Sequence, residues 1–206
     1  MAIGDEFKSS GITENTPKTI MLGAGTIHKG LAFTAAQDGN TGTWNFESSL
    51  ICATSGGSKL SIVPEFYDVP VDGALVKVKG LTVKVGETAT LEINPVELTP
   101  EVLKMAVIGD SATSSTAKGY DEITSRAVIG TGDYITNLGY VGKTIEGKPI
   151  IIIFDNALCT SGLELEGKNK EAAVPKFTFE CFADLSPEAD TLPWHIYYPT
   201  PATQNT

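Results

Sequence analysis

The sequence predicts a mainly β domain, a β-sandwich or partial barrel with one packed α-helix at about 100–108 and long inter-strand loops. Three observations carry that expectation. Short runs alternate apolar and polar residues with the strand period of two, as in 176–181, where Phe177, Phe179 and Cys181 share a face. Gly, Pro, Asn and Asp punctuate these runs at short intervals. Only one segment has a full set of helix signals: Thr99 as N-cap, Pro100 at the first helical position and Glu101 at the positive end of the dipole.

That helix closes the best-punctuated stretch of the chain, 69–109. Val76 and Val78 are apolar at even positions, whereas Leu81, Val83 and Val85 are apolar at odd ones. A strand alternates faces without exception, so the parity change at Gly80 predicts a kink there. Gly86-Glu87 predicts a turn, and Ala89, Leu91 and Ile93 a second strand that Pro95 ends. Gly109 is the expected left-handed cap of the helix. Val102, Leu103, Ala106 and Val107 are its expected brace against the sheet. Burying four large side chains gives ~6–12 kcal/mol gross. Ordering the backbone costs a similar sum at ~1–2 kcal/mol per residue, so so short a helix needs the sheet to form.

The rest of 1–206 reads as part of the same single domain. Residues 1–18 are polar and form an expected N-terminal arm. A short strand at 19–22 is interrupted by Gly23-Ala24-Gly25, and 31–33 offers another. The Gly/Ser/Thr/Asn-rich stretch 35–58 predicts an extended loop carrying Trp44 and Phe46. Those rings are either a contact surface or core that folds back. A strand is expected over 60–67 and a Ser/Thr loop over 110–119. The run 150–154 is apolar without alternation, so both its faces are expected to be buried, within a central strand or beneath a neighbouring subunit. Residues 162–166 alternate Leu163 and Leu165 with Glu164 and Glu166, which predicts a strand paired with 176–181 across a turn at 167–170. The Pro- and aromatic-rich tail 192–206 is expected to be extended.

Composition narrows the function. The net charge is −10 and Arg126 is the only arginine, which argues against a protein that grips nucleic acid. Cys52, Cys159 and Cys181 lack CxxC spacing and read as small buried hydrophobes in a reducing compartment. The N-terminus has no signal-peptide pattern, and no apolar run approaches membrane-spanning length. His28 and His195 are the only histidines and have no ligand spacing. Gly23-Ala24-Gly25 is neither a dinucleotide nor a Walker loop, and Asp184, Glu188 and Asp190 lack calcium-loop spacing. The expectation is no catalytic residue, no cofactor and no metal.

Two blocks carry a family resemblance. Residues 55–106, with GALVKVKGLTVKVGETATLEINPVELTPEVLKMA, and residues 149–184, with PIIIIFDNALC and PKFTFECFAD, resemble the tail tube (major tail) proteins of long-tailed bacteriophages and prophages. The resemblance implies a tail-tube fold that forms homo-hexameric rings stacked into a hollow tube through which DNA passes without specific binding. It implies a virion tail location after synthesis in the host cytoplasm, with tape measure, tail-tip and tail terminator proteins as partners and no membrane. On this reading Glu92, Glu164, Glu166 and Glu180, on polar strand faces, are lumen-facing candidates. Trp44 and Phe46, with the N-terminal arm and the C-terminal tail, are inter-ring contact candidates. The alternative is a monomeric β-sandwich surface or adhesion module, which would require export.

Overall fold

The structure, a computed structural model, describes residues 10–37, 42–186 and 189–199. The first half of the expected N-terminal arm, part of the 35–58 segment and the end of the C-terminal tail lie outside the described residues. The chain is mainly β and builds a curled half-barrel sheet. No helix among the described residues is long and apolar enough to cross a membrane.

After a one-turn helix α1 (Thr16–Thr19) come β1 (Met21–His28), β2 (Phe33–Ala35), β3 (Gly42–Trp44), helix α2 (Phe46–Ser49) and β4 (Leu50–Cys52). The long hairpin β5 (Lys59–Asp68) and β6 (Thr82–Ile93) precedes helix α3 (Pro100–Ala106). Then follow β7 (Gly109–Thr113), β8 (Asp121–Ser125), β9 (Ile135–Thr144), β10 (Pro149–Cys159), β11 (Phe177–Cys181) and β12 (Trp194–Tyr197). The main sheet runs β4-β1-β9-β10-β11-β6-β5, antiparallel throughout, while β2-β3 and β7-β8 are separate ribbons. One edge of β10 pairs with β9, and its other edge is shared by β12 at 151–154 and β11 at 157–159.

The main core fills the inner face of this sheet. Ile27, Leu91, Ile93, Leu138, Phe154, Phe177 and Phe179 pack there with Val102 and Ala106 of α3. Of the expected sandwich or partial barrel, the structure takes the second: the sheet curls around a helix and does not face a second sheet across the core. Ile151 and Ile153 point the other way and form a second cluster with Leu31, covered by Trp44, Phe46 and Val141. Both faces of 150–154 are thus buried, and this chain supplies both covers.

The core-facing set of β9 switches from Ile135 to Leu138 and Tyr140 across Asn137, which stands at φ 51°. Its partner β10 switches from Ile152 and Phe154 to Ala157 and Cys159 across Asp155. The two central strands change parity together, so their register survives the bend.

Several expected boundaries move. α3 begins as its signals predict, with Thr99 Oγ1 accepting from Val102 N at 3.2 Å. It ends at Ala106, not at about 108: Val107 is already extended, and β-branched Val107 and Ile108 lead directly into β7. Gly109 is consequently no left-handed cap; it is a strand residue whose missing side chain lets the Thr124 carbonyl of β8 approach. Of the brace, Val102 and Ala106 are buried and Leu103 and Val107 half-buried. The expected loop 110–119 contains β7, paired residue by residue with β8. The glycines at 23–25 do not end β1, but they do interrupt its ladder: the register with β9 shifts between Leu22 and Thr26, and Gly25, at φ 72°, makes room for the Tyr140 ring, with which a Cβ would collide at 2.5 Å. No strand forms over 162–166, so the hairpin with 176–181 is absent; β11 pairs with β10 and β6 instead. The three cysteines are buried and free, and burial pushes the Cys181 thiol up to about 12.

A polar knot ties α3 to the chain that follows it. Asp133, with its side chain 4% exposed, accepts from Gly130 N at 2.7 Å and pairs with Arg126, which also bonds Asp110 at 2.8 Å and the Val128 carbonyl at 2.9 Å. Lys104 of α3 stands 3.6 Å from the same carboxylate. The Gly130 amide, then Arg126 and Lys104, hold the Asp133 carboxyl below its usual 3.8. A depressed folded-state pKa contributes stability above the unfolded value, and that stability is lost as pH falls through the folded one. Asp133→Asn is expected to unfold at lower urea than the wild type at pH 7, with the gap closing below about pH 3.8. Urea melts at both pH values check this.

Candidate functional site

The feature that the core does not account for is the outer half of the β5–β6 hairpin. Up to Ile62 the ribbon contributes Leu60, Ile62, Ala89, Leu91 and Ile93 to the core. From Val63 to Tyr67 on β5, and from Thr82 to Val85 on β6, every residue is exposed whichever face it occupies. This part is therefore a two-stranded arm with solvent on both sides. Its apolar content is high: Val63, Phe66, Tyr67, Val69, Val71, Leu75, Val76, Val78, Val83 and Val85 are all at least two-fifths exposed, and Leu75 reaches 97%. Exposed apolar residues gathered in this way are a common feature of contact sites.

Local chemistry shapes the arm. β6 is one strand from Thr82 to Ile93, so the expected turn at Gly86-Glu87 is absent and Gly86 pairs with Glu65 in mid-ribbon. The register slips by one residue between Glu65 and Phe66, leaving Val85 without a partner as a bulge. Gly80, at φ 94°, stands outside the strand and ends the tip loop, so the kink expected there is the loop itself. The tip is drawn in by Val69 N to Leu81 O at 2.8 Å and by Lys77 on Asp68 at 2.6 Å. Lys77, with the Thr82 hydroxyl, holds Asp68 below the usual carboxylate range. Between these ties lies an open cleft of about 320 Å³, lined by Val69, Val71, Leu75, Val76, Val78 and Leu81. Residues 69–85 carry Lys77, Lys79 and Lys84 against only Asp72, in a chain whose net charge is −10.

The sheet also ends in open edges. Among the described residues, β5 pairs only with β6, which leaves its other ladder edge free. At the opposite end β4 covers β1 only at Ile27 and His28. The remainder of that edge is flanked by exposed Ile20, Met21, Leu22 and Ile145. Unpaired strand edges are templates for another strand.

The lumen candidates separate into two pairs. Glu92 and Glu180 lie on the face of β6 and β11 opposite the core, in rows with Lys59, Ser61, Thr90 and Thr178. Glu92 takes Lys176 at 2.6 Å and Lys59 at 3.7 Å, and these lysines, Lys176 first, hold its carboxyl low. The face is thus balanced, two lysines against two glutamates. Glu164 and Glu166 are exposed on an irregular segment, not on a strand face, and are not brought to the first pair by any sheet register. Trp44 and Phe46 are not on a free loop: they are half-buried against the second cluster, with Trp44 5.0 Å from the Tyr197 ring and 5.3 Å from that of Phe33. The structure therefore takes the core-folded alternative for both rings.

Sequence reasoning placed residues 76–85 in a kinked strand that turns at Gly86-Glu87 into 89–93, and so missed the arm. The parity change at Gly80 was the available signal, together with the Pro70 and Asp72-Gly73 turn residues that precede it. No protein-family model and no curated protein sequence matches this chain.

Because Leu75 and Val76 touch mainly solvent, the double variant Leu75→Ser/Val76→Ser is expected to keep wild-type stability within about 0.5 kcal/mol. Dye binding to exposed apolar surface should fall in the same variant. A clear loss of stability by chemical melts would show that the tip packs on the body.

Proposed function

We propose that the protein is a structural subunit that associates with copies of itself, forming six-membered rings that stack into the hollow tail tube of a long-tailed phage. The carrying observation is the β5–β6 arm, whose apolar residues lie open on both faces of the ribbon. Burying four such side chains gives ~6–12 kcal/mol, comparable with the ~4–15 kcal/mol cost of association. A single docked arm is therefore marginal, and a closed array in which every subunit gives and receives an arm is not. The free edges of β5 and β1 support the same reading, since a half-barrel with two open ends can be continued by its neighbours.

On this proposal the balanced polar face carrying Lys59, Ser61, Thr90, Glu92, Thr178 and Glu180 lines the lumen. Hydroxyls and paired charges, with no arginine, would let DNA pass without gripping it. The ring-to-ring contact moves from Trp44 and Phe46, whose rings cover Ile151 and Ile153, to the arm. Tape measure, tail-tip and terminator proteins remain the expected partners of such a tube, and the virion tail its location.

Light scattering on a sizing column, followed by negative-stain microscopy, tests the proposal. Rings or hollow tubes are expected from the full chain, and monomers from a variant in which 70–80 is replaced by Asn-Gly. A full-length chain that stays monomeric at high concentration would instead favour the surface or adhesion module.

A further inference from the structure

The second cluster is covered by a segment that hangs on one buried imidazole. His28, 2% exposed at the end of β1, is bonded at both ring nitrogens: Nε2 lies 2.8 Å from Thr26 Oγ1 and Nδ1 lies 2.9 Å from Ser49 Oγ of α2. The Ser49 hydroxyl donates to the Asn45 carbonyl at 2.8 Å, so it accepts from Nδ1–H, and Nε2 is left to accept from Thr26. This is the neutral ring with its one donor and one acceptor both in use. Phe46 stands edge-on to it, with centroids 5.9 Å apart.

We propose that buried His28 is an acid-sensitive latch for 42–52: a proton added at Nε2 leaves the Nδ1–H bond to Ser49 in place but puts a cation with no carboxylate partner beneath α2, and hydrating that cation requires α2 and its flanks to lift from the sheet, which bares the Ile151/Ile153 face. A second proton would turn Nε2 into a donor, and Thr26 could accept from it only by redirecting its own hydroxyl to the Val141 carbonyl, 3.5 Å away. The added charge finds no carboxylate among the groups that meet the ring. These are Thr26 on its own strand and Phe46 and Ser49 on α2, while the backbone of His28 is flanked by its ladder partners Leu50 on β4 and Gly139 on β9. The neighbouring charged residues, Lys29 and Glu47, are exposed, and Lys29 is held 2.7 Å from Glu101.

Burial, opposed by the Phe46 backbone, sets His28 below its ordinary 6.5. A group whose folded pKa is depressed and which is neutral in the fold stabilises above the unfolded value. The latch is therefore complete above about pH 6.5 and weakens as pH falls below it. What remains to hold 42–52 is the Asn45 side chain on Gly30 O at 3.0 Å and Ala32 N at 2.8 Å, together with the packing of Trp44 and Phe46.

Amide hydrogen exchange between pH 8 and 5, corrected for the intrinsic rate, tests the latch in a His195→Asn chain, which leaves His28 as the only imidazole. The opening of 42–52 is expected to be flat to about pH 6.5 and then to rise up to about tenfold per pH unit, while β6 and β11 stay protected. His28→Gln should abolish that rise. Equal acid sensitivity in β6 and β11, or a rise that persists in His28→Gln, would overturn the proposal. Should that variant not fold, the ring's own titration by NMR decides: a midpoint below 6.5 supports the latch and one above it refutes it.

Discussion

A strand with two buried faces needs two covers, and β10 sets that demand for the whole molecule. Its inner face is met by α3 and by the strands that curl round it, and its outer face by the β2–β3 ribbon and α2. The antiparallel partners on either side follow from the same constraint, because a central strand must have both ladder edges paired. Most of the buried apolar residues of the body belong to these two clusters. The apolar residues of the arm belong to neither, which is why the arm stands out as the part of the chain that its own fold does not use.

On the proposed function, self-assembly and fold are different demands on one hairpin. The inner half of β5–β6 is built as any half-buried ribbon, with Leu60 opposite Leu91 and Ile62 opposite Ala89. Past the bulge at Val85, β6 still alternates Val83 with Lys84, but neither face of the ribbon is covered, and valines, Phe66 and Tyr67 face solvent. Such a ribbon has no stability to gain from its own chain beyond the ladder. The proposed function gives it a neighbour to rest on, and its lysines an acidic surface to approach.

Much of this was legible because strong local signals agreed with the tertiary fold. The Thr99-Pro100-Glu101 start of α3, the alternation in β11 and the double burial of 150–154 were readable from residue order alone. The failures have physical reasons. Residues 162–166 alternate like a strand, but the edges of β11 are already taken by β10 and β6, and alternation without a free partner edge does not make a strand. Trp44 and Phe46 sit among turn residues, and only the distant Ile151 and Ile153 draw them inward. The buried His28 contact spans 21 residues to Ser49, with no motif linking the two.

The most direct test of the account is a cryo-electron-microscopy map of the assembled protein. The account predicts that the arm residues Phe66, Leu75, Val76 and Val78 are buried against a neighbouring copy, while Trp44 and Phe46 keep their places over Ile151 and Ile153. An assembly in which the arm remains in solvent and other surfaces join the subunits would contradict it.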